Sequence, residues 1–576
     1  MPRGSCRGSK RSSRHVTGPS NSDRVGIVRG PLHVRWMGRV PYREGAALQH
    51  AMFTHGQHDH LLLLEHDHVF THGPHANLDE HVLIDPENSG IELIEVDRGG
   101  DVTYHGPGQL TGYPILSRPG KGSLAHVRMV EELLIRVLRR SGIGDVGRLE
   151  GYPGVWVAPG GRDARKIAAI GVRLARGRTK HGFNLNNTND LSYMRDHIVA
   201  CGIRDYGVTS LAEEGVDIDM ADLVDLVVDE AAVLMGNDGL VRHDIIDART
   251  PVDLAPFSQG QGAGQPIRLR SRAAQAGLGE GVDLSERKPD WLRAHVRHDE
   301  SVLGMRRMLR ELDLVTVCED AGCPNLSECW SDGTATFMVL GERCTRRCGF
   351  CLVDTRRPDQ PDDDEPSRVA EAVDRLGLAH AVLTMVARDD LNDGGMTHVG
   401  RCVTAIRSRR PDCRVETLIS DAKGNLAAID LLLEAAPDVV NHNVETVPRL
   451  QRVVRPSAGY ARSLAILAHA SAAGFVTKSS VMVGIGERDD EIEATLVDLA
   501  SIGVDIVTIG QYLRPTDHHL PVDRWVEPEK FDAWAAYGRS VGIRHVEASP
   551  LTRSSYHARQ AADAATPVAI TLGGSS

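Results

Sequence analysis

Six of the chain's ten cysteines fall between Cys318 and Cys351, a density that points to metal ligation rather than to disulfides. Cys344, Cys348 and Cys351 stand in Arg-Cys-Thr-Arg-Arg-Cys-Gly-Phe-Cys, a C-x3-C-x2-C spacing from which one short loop places three thiolates around a single centre. Three ligands on a four-iron cluster leave one iron open to a substrate or cofactor, unlike a closed electron-carrying site. The competing reading is a zinc knuckle, but zinc sites usually close with four ligands, and no well-placed fourth Cys or His follows. Just upstream, Cys318-x4-Cys323-x5-Cys329 offers a second trio. Cys402 and Cys413 fit neither trio and read as buried structural thiols. Residues 55–81 hold eight histidines, and His66 and His68 would face the same side of a strand. That suggests a further metal reading, against which stand the lack of Cys and of a fixed ligand spacing.

The elements that must position these groups follow from length and patterning. At 576 residues the chain exceeds what one core usually organises, so two or more domains are expected. From about Pro31 to about Ile246, β-rich runs (Leu61–Glu65, Val155–Ala158, Ile167–Leu174) alternate with helical patterns such as Leu124–Arg140 and Ala221–Met235. Pro256 to Gln265 is Ser/Gln/Gly-rich linker text. Beyond it, short apolar runs (Ala381–Met385, Val439–Asn441, Ser480–Val483, Ile506–Ile509) alternate with helical segments Arg368–Leu376, Leu464–Ala473 and Glu491–Leu499. Such alternation predicts a parallel sheet or a full or partial β/α barrel. The expected fold class is therefore α/β in two domains. The boundaries are a disordered basic tail at 1–29, a domain at 30–250, a linker at 251–284, a second domain at 285–562 and a tail at 563–576.

Composition narrows the function classes. A composition 41% hydrophobic and 25% charged is that of a soluble globular protein, and the longest aliphatic runs, such as Leu61 to Leu64, are far too short to cross a bilayer. The net charge of −12 argues against a nucleic-acid partner. Cysteines clustered as ligands, without a signal-peptide hydrophobic region, predict a reducing, cytoplasmic setting. The Arg-rich first 29 residues have some likeness to a transit peptide, but Gly4, Gly8, Gly18 and Pro19 spoil an amphipathic helix.

The two trios in this order resemble lipoyl synthase, of the radical S-adenosylmethionine superfamily. Supporting text includes Arg287-Lys-Pro-Asp-Trp-Leu-Arg, Arg388-Asp-Asp-Leu-Asn-Asp-Gly-Gly, Asn441-His-Asn-Val-Glu-Thr, Thr477-Lys-Ser and Thr508-Ile-Gly-Gln-Tyr-Leu, so that the likeness spans about residues 285–560. It departs from the family's usual text at Met385, Ala387, Ser480 and Ala548-Ser549. The resemblance implies a partial TIM (β/α) barrel and two 4Fe–4S clusters. Cys344, Cys348 and Cys351 would hold the cluster whose open iron chelates S-adenosylmethionine, which is cleaved to a 5′-deoxyadenosyl radical. Cys318, Cys323 and Cys329 would hold an auxiliary cluster whose sulfide enters the product. Its fourth ligand would be a serine of Arg553-Ser-Ser-Tyr-His, Ser555 with Ser554 as the alternative. The chemistry fits that equipment, because C6 and C8 of an octanoyl chain carry no acidic proton for a side-chain base to remove.

The first domain has its own motifs: Arg98-Gly-Gly-Asp-Val-Thr-Tyr-His-Gly-Pro-Gly-Gln-Leu, Lys166-Ile-Ala-Ala-Ile-Gly-Val-Arg, His181-Gly-Phe-Asn-Leu-Asn and Cys201-Gly-Ile. Together they resemble lipoyl(octanoyl) transferase, a relative of the biotin and lipoate protein ligases, and imply that α/β fold. The resemblance makes Cys201 the acyl-thioester nucleophile and Lys166 its helper, stabilising the thiolate and then acting as base. The substrate-binding set would be Arg98, Gly99, Gly100, Asp101, Val102, Thr103, Tyr104 and His105, with Ala169, Ile170, Gly171, Gly182, Phe183 and Asn184. Ala200 stands where the family usually has Pro, and Asn184 where Ala is usual.

The halves then describe consecutive steps: octanoyl transfer from acyl carrier protein to a lipoyl-domain lysine, and insertion of two sulfurs at C6 and C8. The implied partners are octanoyl-acyl carrier protein, lipoyl-domain proteins (E2 subunits and the glycine cleavage H protein), an electron donor such as flavodoxin or ferredoxin, and cluster-assembly proteins. Alternative readings are a catalytically silent N-terminal module that docks the carrier domain, an ATP-dependent lipoate ligase, and a zinc-bearing scaffold.

Overall fold

A computed structural model describes residues 30–85, 89–117, 122–235, 238–246, 276–279, 281–282, 286–293, 300–316, 325–331, 334–516 and 518–565. The expected tail at 1–29 and nearly all of the expected linker lie outside these residues, as do Cys318 and Cys323.

The first half is built on a nine-stranded mixed sheet. Eight strands follow one another in the spatial order Leu240–Arg242, Leu32–Arg39, Asp59–Glu65, Gln109–Ile115, Arg178–Asn186, Arg165–Ala175, Tyr152–Val157 and Val146–Leu149, and Gly207–Val208 pairs to the side of Arg165–Ala175. A second sheet joins Glu92–Glu95, Val69–His72 and Thr103–His105. The run Leu61–Leu64 shows why the large sheet is apolar on both faces. Side chains alternate along a strand, and Leu61 and Leu63 enter a core with Leu133, Leu134 and Val137 of helix Ser123–Arg140 and Val224 and Val227 of helix Met220–Leu234. Leu62 and Leu64 point the opposite way, into a core that also contains Leu464, Ala468, Leu496 and Leu499 of the second half.

The second half is an open barrel. Seven strands, Thr334–Val339, His380–Met385, Arg414–Leu418, Val439–Asn441, Val476–Val483, Ile506–Gln511 and His545–Ser549, lie side by side in sequence order, each parallel to the next. A helix fills each of the six connections: Glu365–Arg375, Met396–Arg409, Leu426–Leu433, Tyr460–Ala472, Asp489–Ser501 and Pro528–Ser540. Short strand Val315–Thr316 adds an antiparallel edge beside Thr334–Val339. The fold class expected from the sequence is the one observed. No helix among the described residues is long and apolar enough to cross a membrane.

The halves share one core. Helix Tyr42–His55 packs along helix Tyr460–Ala472, with Leu48, Ala51 and Met52 buried in the same cluster as Tyr460, Leu464 and Ala468. Each such Leu or Met side chain contributes about 1.5–3 kcal/mol by burial. At the edge of this contact Arg35 Nε and Nη2 lie 3.0 and 2.9 Å from Asp498 Oδ1, both side chains 2% exposed, and Tyr460 donates its hydroxyl to Asp498 Oδ2 at 3.2 Å. His60 Nε2 and Ser501 Oγ meet at 2.9 Å.

A buried ion pair is costly to break singly and cheap to replace as a whole. Arg35→Met leaves Asp498 charged and unpaired, and is expected to lower stability by about 3–5 kcal/mol. The double change Arg35→Met with Asp498→Leu is expected to recover most of that loss. Chemical denaturation of the three proteins measures both effects, and equal stability of the single and double variants would count against the pair.

Candidate active sites

In the first half, the strand register assembles the expected substrate-facing residues. Asn184, Phe183 and Gly182 lie opposite Ala169, Ile170 and Gly171 in the ladder between Arg178–Asn186 and Arg165–Ala175. Gly182 tolerates only glycine, since a Cβ there would meet the Gly112 carbonyl at 1.9 Å, and Gly171 is tightly covered, a Cβ there standing 2.9 Å from Arg98 Cδ and 3.0 Å from the Gly99 carbonyl. The Arg98–Gly100 turn therefore lies directly on Gly171, and Gly99 N–H donates to the Val172 carbonyl at 3.3 Å. Arg98 is nearly buried and its Nη2 donates to Thr71 O at 2.8 Å and to Thr71 Oγ1 at 3.1 Å. Thr103, Tyr104 and His105 form the strand opposite Val69–Thr71, all buried.

Cys201 is delivered to this group by backbone. It sits in the short turn Ala200–Gly202 with φ of 58°, a left-handed conformation that costs a non-glycine residue energy and clusters at functional sites. Its N–H donates to the Val102 carbonyl at 2.8 Å, and Arg98 lies near enough for its charge to interact with the thiol. Asp101 steadies the same loop: Oδ1 accepts from Val102 N–H at 2.7 Å and Oδ2 meets His81 Nδ1 at 2.9 Å. Lys166 is also buried, its ammonium 4.9 Å from the centroid of the Trp156 ring. Among the described contacts none joins Lys166 to Cys201 directly.

The second cluster of candidates lies at the carboxyl ends of the barrel strands, where open α/β sheets and barrels place their sites. The loop after Thr334–Val339 carries Cys344, Cys348 and Cys351 and is tied to its neighbours by backbone. Thr345 N–H and Oγ1–H both donate to the Ala387 carbonyl, at 3.0 and 2.9 Å, and Gly349 N–H donates to Val454 O at 2.8 Å. Arg346 grips Asp389 through two bonds of 2.8 Å and Asp421 through one of 2.5 Å. The three thiols form no disulfide and stand close enough to act on one another electrostatically. Burial, with the neighbouring thiols, pushes Cys348 up to about 12 and Cys351 up to about 11.

These residues fit a cluster. The amides of Arg346 and Ala387 donate to Cys344 Sγ at 3.4 and 3.3 Å, which favours a charged sulfur. Metal binding would displace the thiol protons that burial retains. The departure at Ala387 falls on a backbone donor, where side-chain identity matters little. Of the second trio only Cys329 is described. Its helix Leu326–Ser331 meets the Arg553–His557 segment, with Tyr556 Oη donating to Glu328 at 3.2 Å and Asn325 Nδ2 to the Leu551 carbonyl at 2.6 Å. The structure thus brings Cys329 and the two candidate serines, Ser554 and Ser555, to one end of the barrel.

Comparison with known proteins matches residues 41–232 to the lipoyl protein ligase A/B catalytic domain and residues 338–499 to the radical SAM superfamily. Lipoyl synthase of Rubrobacter xylanophilus is 50% identical over 275 residues, covering 47% of this chain and 86% of that protein. Lipoyl synthase of Chlorobaculum tepidum is 51% identical over 274 residues, covering 47% and 94% respectively. The chain belongs to the lipoyl synthase family. Ahead of its lipoyl synthase half it carries a catalytic domain of the lipoate ligase and transferase type.

Several residues of this lipoyl synthase fusion have no motif to announce them. Tyr42 and His66 lie against His105, with ring centroids 5.5 Å apart in each case, and His66 Nε2 bonds Tyr113 Oη at 2.7 Å. His66 and His68 are not in a strand. His68 turns instead to Tyr104 Oη at 2.8 Å, so the pair does not converge on one ion. Asp97, which precedes Arg98, holds His181 at 2.7 Å and Lys180 at 3.1 Å. Inside the barrel Lys478 reaches both Glu416 oxygens at 3.0 and 3.1 Å, and Asn441 donates to the same carboxylate at 2.8 Å.

Buried histidines set the acid limit of the fusion. Burial lowers His33 to about 3 and His66 and His442 to about 4, so all three are neutral in the fold. Unfolded histidine titrates near 6.5. Their contribution is therefore intact above that pH and is lost as pH falls toward 4, by about 1.4 kcal/mol per histidine per pH unit. The thermal midpoint is expected to drop steeply between pH 6.5 and 5. A flat profile over that range would show that these side chains are already hydrated.

Proposed function

We propose that this chain carries out both steps of lipoyl assembly. It moves an octanoyl group from acyl carrier protein to a lysine of a lipoyl domain, then inserts two sulfurs, at C6 and C8. The observation that carries the first step is the placing of Cys201 beside Val102 and Arg98, the Arg98 turn lying on Gly171 of the paired strands that hold Ala169–Gly171 and Gly182–Asn184. The Cys201 thiolate attacks the octanoyl thioester and the carrier protein's thiol leaves. The lipoyl lysine amine then attacks the new thioester and the Cys201 thiolate leaves. The role assigned to Lys166 is to stabilise the thiolate, to give its proton to the departing carrier thiolate and, thus deprotonated, to take the proton of the incoming amine. A reactive thiol in place of a nucleotide-activated acid separates this reading from an ATP-dependent ligase.

For the second step, Cys344, Cys348 and Cys351 would hold the cluster that binds S-adenosylmethionine. Cys318, Cys323, Cys329 and Ser555, or Ser554 in its place, would hold the auxiliary one. When bound, the first cluster with S-adenosylmethionine supplies a hydrogen-abstracting radical and the second supplies sulfur. The protein's own work is positional: Arg346 fixes the cysteine loop to two strand ends, and the Glu328–Tyr556 contact holds the Cys329 helix to the serine segment. Flavodoxin or ferredoxin as electron donor, cluster-assembly proteins, and E2 or H-protein lipoyl domains complete the reaction.

Anaerobic assay of the full chain tests the reading. With octanoyl-acyl carrier protein and a lipoyl domain alone, the domain is expected to gain the mass of one octanoyl group. Addition of S-adenosylmethionine and a reductant is expected to convert it to the lipoyl mass. Octanoylation that requires free octanoate and ATP would overturn the first step.

A further inference from the structure

Helix Tyr42–His55 stands in both sites at once. Two residues apart, about 3 Å along the helix axis, Tyr42 faces His66 and His105 of the first half while Glu44 faces the barrel. Glu44 Oε1 accepts from Arg462 Nε at 3.2 Å, with side chains 6% and 15% exposed. Below this pair runs the turn Asp421–Gly424, so close that a Cβ at Gly424 would stand 2.2 Å from Glu44 Oε1 and 3.1 Å from Arg462 Nε. Asp421 is the carboxylate that receives Arg346 of the cysteine loop through Oδ1. Its other oxygen, Oδ2, is buried with no hydrogen-bond partner among the described residues, and Arg462 is near enough to act on its charge.

A part-buried guanidinium such as that of Arg462 pairs in preference with a charged acceptor. Once Glu44 loses its charge, the carboxylate on which Arg462 already acts is Asp421, whose free Oδ2 would then draw the guanidinium into competition with Arg346. We propose that Glu44 is a positioning residue for the cysteine loop of the other half: by engaging Arg462 it leaves Asp421 to Arg346, and so holds Cys344 and Cys348 in place. This rests on the reading of that loop as the cluster site, although the test below does not.

The test uses the metal-free full chain, pulsed with iodoacetamide, with labelling of each thiol read by peptide mass spectrometry. Glu44→Gln is expected to raise labelling of Cys344 and Cys348 at least threefold while Cys402 and Cys413, buried in the same half, keep their wild-type rates. Glu44→Gln combined with Arg462→Gln removes the competing cation, and is expected to return Cys344 and Cys348 toward wild type. The octanoyl-transfer rate of each variant reports that the first half is folded. Unchanged labelling in Glu44→Gln, a uniform rise at all four thiols, or no recovery in the double variant would each overturn the proposal. Failure of the wild-type chain to take up iron would instead overturn the cluster reading and leave this result standing.

Discussion

Cys201→Ala is expected to lower octanoyl transfer from acyl carrier protein to a lipoyl domain by about a thousandfold or more, since removing a covalent nucleophile removes the pathway itself. The change is small in volume and leaves the N–H bond to Val102 in place, so the fold and the second reaction are expected to survive. A lipoyl domain octanoylated beforehand should still be converted to the lipoyl form by the variant. Cys201→Ser is a sharper probe, because it keeps the size and polarity but not the leaving ability of a thiolate. It should accumulate an ester that turns over poorly. Undiminished octanoylation by Cys201→Ala would make the first half a docking module and remove the transfer step from the reading.

Cys348→Ala is expected to abolish sulfur insertion while leaving octanoyl transfer at its wild-type rate. Cys348 lies deep in its loop among Cys344, Cys351, Arg455 and Glu445, and no other described thiol is placed to replace it. Loss of one of three ligands should empty the S-adenosylmethionine-binding site and reduce iron per reconstituted chain by about half, the auxiliary site retaining its share. The reductive cleavage of S-adenosylmethionine should fall at least a thousandfold. Cys402→Ala serves as control, since Cys402 lies on the buried face of helix Met396–Arg409, packed in the core. A colourless wild-type protein containing zinc would falsify the cluster reading for both trios.

Much of the fold was legible because its elements obey simple periods. The strand at Ile506–Gln511 and the helix at Asp489–Ser501 appear in the sequence as the short apolar run Ile506–Ile509 and the helical pattern Glu491–Leu499, and each connection in the barrel carries a helix. The cysteine loop was legible because ligand spacing is local. What escaped is non-local. Arg35 and Asp498 are 463 residues apart, and nothing in either neighbourhood announces the other. The run Leu61–Leu64 says that both faces of a strand are covered but not by what. The histidines around His66 leave a metal reading open in the sequence, whereas its two nitrogens are spent on Tyr113 and the Val40 carbonyl. Tyr42 and Glu44 sit in a helix with an ordinary pattern, and their roles appear only once the halves are docked.

The core that runs from Leu62 and Met52 into Leu464 and Leu499 also limits what evolution can do with this chain. Two enzymes joined only by a flexible tether remain interchangeable parts: either can be replaced by a distant homologue without disturbing the other. Here a new first half would have to bring a matching apolar face, an arginine for Asp498 and an acid for Arg462. The joining is thus a commitment, and substitutions on the two sides of the seam should accumulate in pairs, as they do within a single domain.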